Sequence, residues 1–60
     1  MFKNEDELME KCKELLHMKG IRPKYFSFLF NFAKEDTDNY DDIYNNFDNI
    51  VKIVKIKHLA

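Results

Sequence analysis

Apolar residues recur in three stretches of this chain, and two short polar breaks separate them. In the first stretch Leu8, Met9, Cys12, Leu15 and Leu16 fall within an arc of about 120° when wound as a helix, with Glu10, Lys13 and His17 outside it. Asn4 precedes the stretch and Glu7 follows three residues later, the spacing of a capping box, while Glu5 and Asp6 suit the positive end of a helix dipole. Lys19 and then Gly20 mark the stop, because glycine accepts the left-handed backbone that closes a helix. The pattern predicts an amphipathic helix over about residues 5–19.

The second stretch fits two periods. Tyr25 to Phe32 carries Phe on every even position, as a half-buried strand would. Wound as a helix, the same region sets Lys24, Ser27, Asn31, Lys34 and Glu35 on one arc of about 100° and leaves every apolar residue on the remainder. Pro23 in a first-turn position and the continuation Ala33-Lys34-Glu35 favour a helix over about residues 24–35. An apolar arc of roughly 200° needs cover on two sides, which makes this the expected central element. The third stretch has the strongest period: Tyr40, Ile43, Tyr44, Phe47, Ile50, Val51 and Val54 share one face over about residues 39–58. Beyond Val51 the residues Ile53, Ile56 and Leu59 project from other faces, so the last turns are apolar nearly all round.

The fold this predicts is all-α, a single small domain over residues 1–60 built as a three-helix bundle with a strongly aromatic central helix. The alternative is an α+β fold with residues 24–32 as a strand. Leu15, Phe28, Leu29, Phe47 and Val51 are the expected shared core. A chain of 60 residues buries only roughly 60% of the surface its unfolded form exposes, so stability is marginal unless a partner shares the core.

Composition narrows the chemistry. The single cysteine, Cys12, rules out an internal disulfide framework and points to a reducing, cytoplasmic compartment. The acidic start, Met1 to Glu7, has no basic and apolar leader pattern, and the greasiest run is interrupted by Ser27 and Asn31, so neither a signal peptide nor a membrane span is expected. Net charge is −1, but it is blocked along the chain: residues 1–10 carry −3, 11–34 carry +5, 35–48 carry −6 and 52–57 carry +3. Cys12 and His17 lie about 140° apart on one helix and cannot join in a nucleophile or metal site. Asp36, Asp38, Asp41 and Asp42 depart from a calcium loop, since its sixth position is Asp41 and its twelfth Phe47. No phosphate loop, nucleophile elbow or isolated carboxylate pair is present, so the chain is expected to be no enzyme and to use no cofactor or metal.

Six Phe and three Tyr exceed what so small a core covers comfortably, and aromatic side chains left at a surface are common anchors of interfaces. The expected function is therefore a small protein-protein interaction module, a regulator or inhibitor that binds a host protein through Tyr25, Phe26, Phe30, Ile53, Ile56 and Leu59. Abundant Lys, Asn, Ile and Asp fits a low-GC bacterium, its phages or mobile elements. A homodimer is a related expectation: parallel first and third helices would set like charges side by side, and an antiparallel second copy joined through the third helix would relieve that. The alternatives are a nucleic-acid-binding helical module using Lys11, Lys13, Lys19, Arg22 and Lys24, or an acidic decoy presenting Asp36, Asp38, Asp41, Asp42 and Asp48 to a basic groove. The near-neutral charge and an apolar second helix argue against nucleic acid.

Overall fold

The computed structural model describes residues 2–59, with side-chain burial described as far as residue 57. Helix α1 runs Glu5–Met18, a single 3₁₀ turn Pro23–Tyr25 leads into α2 at Phe26–Ala33, and α3 runs Tyr40–Leu59. Among the described residues there is no strand, and the fold is a small all-α three-helix bundle.

Each boundary has a local cause. The Asn4 side chain accepts the Glu7 N–H at 2.9 Å, and Glu7 Oε1 accepts the Lys3 N–H at 3.3 Å, so the capping box closes one residue earlier than its standard form. At the other end of α1 the Gly20 N–H donates to His17 O at 3.0 Å and the Ile21 N–H to Leu16 O at 3.2 Å, the paired bonds of a Schellman motif. Gly20 sits at φ 75°, a conformation that costs an L side chain energy. Ile21 then folds back onto the core. Asn39 caps α3: its Oδ1 accepts the Asp42 N–H at 3.1 Å, while Thr37 Oγ1 accepts the Asn39 N–H at 3.1 Å.

The helices run up, down and up. Lys34 Nζ, just past the end of α2, reaches Glu5 Oε2 at the start of α1 at 3.1 Å, and Asn46 Nδ2 donates to Ala33 O at 3.1 Å. Lys55 Nζ donates to Lys19 O at 2.8 Å, which ties the far end of α3 to the far end of α1 and makes the two parallel. With 20 residues against 14, α3 is about 30 Å long and α1 about 21 Å.

The core consists of Leu8, Cys12 and Leu16 from α1, Phe26, Leu29, Phe30 and Ala33 from α2, and Ile43, Phe47 and Val51 from α3. Phe47 is the fully buried hub, its ring 5.8 Å from Phe26 and 6.4 Å from Phe30, and those two stack at 5.3 Å. Leu29, Phe47 and Val51 are core as the sequence predicts, and Leu15 is half-buried against it.

The strand alternative for residues 24–32 is overturned, because α2 buries the 3-and-4 spacing 26, 29, 30, 33 rather than alternate residues. Phe28, expected in the core, is instead exposed. Phe26 and Phe30, expected at a binding surface, are buried. One reason covers all three: α1 and α3 both pack on the same side of α2, so its apolar arc is covered on one half only. The side that carries Ala33, small enough for close approach of a neighbouring helix, is the covered one.

Candidate interaction face

Because α2 buries 26, 29, 30 and 33, the residues left outside include Tyr25, Phe28 and Phe32, spaced by three and four and therefore aligned on one stripe. They are 43%, 69% and 59% exposed. The stripe flanks α3. Asn46 points at α2, as its bond to Ala33 O shows, and Ile53 lies seven residues on, two turns along the same flank. Ile53 is 54% exposed, and Ile50 and Val54 beside it are half-buried, so the apolar face continues across both helices.

At the upper end of this face lies an open groove of about 510 Å³. Ile21, Leu29 and Val54 contribute apolar lining, Tyr25 and Phe28 aromatic lining, and the polar side is basic, from Lys19, Arg22 and Lys55; no acidic residue lines it. Lys24 stands over the Tyr25 ring at 5.3 Å. The lower end is acidic, with Glu35, Asp36 and Asp38 exposed in the turn after α2. The ion pairs among the described residues are Lys11 with Glu14, Lys34 with Glu5 and Lys52 with Asp48, so Arg22 and Lys24 at one end of the stripe and Glu35, Asp36 and Asp38 at the other form no ion pair among the described residues.

The residues expected at a partner surface divide accordingly. Tyr25 and Ile53 fall on the face just described. Phe26 and Phe30 are core. Ile56 is 67% exposed but lies about 80° around α3 from the Asn46 direction, on a different side of the helix. The side chain of Leu59 lies outside the described residues. Of the acidic set, Asp36, Asp38, Asp41 and Asp42 gather at the junction of α2 and α3, whereas Asp48 lies further along α3 and pairs with Lys52 at 3.3 Å. The sequence reading missed Phe28 and Phe32 as surface residues; the local sign of them is their place at the border of the apolar arc, next to Lys24, Asn31 and Glu35 on the polar one.

Cys12 is fully buried, and burial pushes its thiol from 9.0 up to about 12. Such a thiol is a packing group, not a nucleophile. Among the described residues no three His, Cys, Asp or Glu come together as a metal site, and no helix is long and apolar enough to cross a membrane. No protein-family model, curated protein or solved structure matches the chain.

Proposed function

We propose that the chain is a small protein-protein interaction module that acts by covering a protein surface and not by catalysis. The observation that carries this is the stripe of Tyr25, Phe28 and Phe32, three aromatic side chains exposed side by side along the 3₁₀ turn and α2, next to the face that the core covers. Solvent-facing aromatics cost solubility and add nothing to a monomer's core, whereas in an interface they are the residue types that supply most binding energy. The face has the anatomy of a docking surface, with an apolar centre and a charged rim. A cytoplasmic regulator or inhibitor, of the kind phages and mobile elements carry, fits the size of the chain and its unpaired thiol.

A photo-crosslinking amino acid at position 28, compared with the same probe at exposed His17, tests the reading in the source cell. Protein adducts that form from position 28 and not from position 17 support it. Equal or absent crosslinking at the two positions would overturn it.

A further inference from the structure

We propose that the occupant of the α2 face is a second copy of this chain, packed antiparallel about a two-fold axis that passes between the two α2 helices, level with residue 30. The inference rests on the interaction-module reading and names its partner. The stripe is self-complementary in charge. Its upper end, at Lys24 and Arg22, is basic without an ionic partner among the described residues, and its lower end, at Asp36 and Asp38, is acidic without one. Within one chain these ends cannot meet, because the eight residues of α2 hold them more than about 12 Å apart. Turning a second copy end for end sets the basic approach to α2 in one copy, with Lys24 and Arg22, against the acidic turn after α2 in the other, with Asp36 and Asp38, twice over by symmetry.

The same operation sets Phe32 of one copy opposite Phe28 of the other, at the mouth of the groove. The groove, at about 510 Å³, has ample room for the ring, since a cavity of about 150 Å³ already accepts benzene. Counting an aromatic side chain as about 200 Å², the exposed parts of Tyr25, Phe28 and Phe32 come to roughly 350 Å² per copy. With Ile53 and the charged flanks added, this approaches the ~800 Å² per partner of a standard interface. The face differs from the outer side of α3 that carries Ile56.

Sedimentation velocity of the whole chain over about 5–500 µM reads the proposal, the range in which a small interface of this kind associates. A species of twice 7.3 kDa is expected. Phe28→Asp and Phe32→Asp, both at exposed positions and checked for helicity, are expected to weaken the dimer about 30-fold or more, and Ile56→Asp to leave it unchanged. Lys24→Glu and Asp36→Lys are each expected to weaken it about 2- to 5-fold, while the double variant returns to near the parent value. That rescue can arise only between copies. A monomer throughout the range, assembly beyond a dimer, a dimer broken by Ile56→Asp but not by Phe28→Asp, or charge variants that fail to rescue each other would overturn the second-copy proposal. Position-specific crosslinking at residue 28 to a larger protein, with the purified chain monomeric, would overturn it too while leaving the interaction-module reading in place.

Discussion

Phe47 and Phe28 are the same side chain in opposite surroundings, and their contrast shows what a single residue contributes. Phe47 is fully buried at the junction of all three helices, so Phe47→Ala leaves a cavity and is expected to cost about 3–5 kcal/mol. That is most of the stability available to a domain of this length, at about 0.1 kcal/mol per residue, and thermal denaturation should show little cooperative folding. Phe28→Ala, at a position 69% exposed, should change the stability of the monomer by no more than about 0.5 kcal/mol by the same measurement in dilute solution, below the range of association. Cys12 supplies a pH test. Its folded pKa is raised from 9.0 to about 12, so the folded state holds the proton longer than the unfolded state does. The stability it contributes is complete below pH 9 and is lost as pH rises from there toward 12. Denaturant titrations of the parent and Cys12→Ala should therefore converge with rising alkalinity; a gap that stays constant would mean the thiol is not desolvated. The burial of Phe47 and Cys12 was legible from periodicity alone, because each lies mid-stripe on a helix with one apolar face. Phe28 was not read correctly, because the apolar arc of α2 spans about 200° and the sequence does not say which half of it a neighbour covers; its place at the border of that arc, beside Lys24 and Asn31, was the one local sign of its outer side.

Helix ends are where local sequence speaks most directly. Asn4, Gly20 and Asn39 do at α1 and α3 what their side chains and backbone freedom predict. Gly20→Ala meets no atom within 4 Å, so its whole effect is the cost of φ 75° for an L residue, about 1–2 kcal/mol, read as a fall in melting temperature. Asn39→Ala removes the acceptor for the Asp42 N–H and should cost about 1 kcal/mol, with added fraying at the start of α3 visible in amide exchange. The second element was the least legible. Its helix is Phe26–Ala33, shorter at both ends than the periodicity over residues 24–35 implies. Pro23 begins a 3₁₀ turn before the α-helix starts, and after Ala33 the bonds from the Lys34 and Glu35 N–H groups close the helix. The alternation of Phe imitates a strand only because both the buried pair, Phe26 and Phe30, and the exposed pair, Phe28 and Phe32, are spaced by four.

At the scale of the whole molecule, parallel α1 and α3 set the basic ends of both helices together, and Lys55 turns that crowding into a bond by donating to Lys19 O at 2.8 Å. A lysine on the carbonyl end of a neighbouring helix is favoured by the helix dipole. Lys55→Met should therefore cost about 1 kcal/mol in denaturant titrations, whereas Lys57→Met, two residues further on and exposed, should cost nothing measurable. The acidic ends are likewise relieved within the chain, since Lys34 reaches Glu5 at 3.1 Å. Like-charge crowding between α1 and α3 is thus no longer the reason to expect a second copy; the unmatched charges at the two ends of the α2 stripe are. By itself the sequence determined α1 and α3, their caps, the reach of α3 and the membership of most of the core, because caps and 3.6-residue periodicity act within a few residues of chain. Only the tertiary structure decided which half of the aromatic arc on α2 is buried and which faces solvent. That choice depends on where α1 and α3 come to rest, and a helix apolar on both sides does not encode it locally.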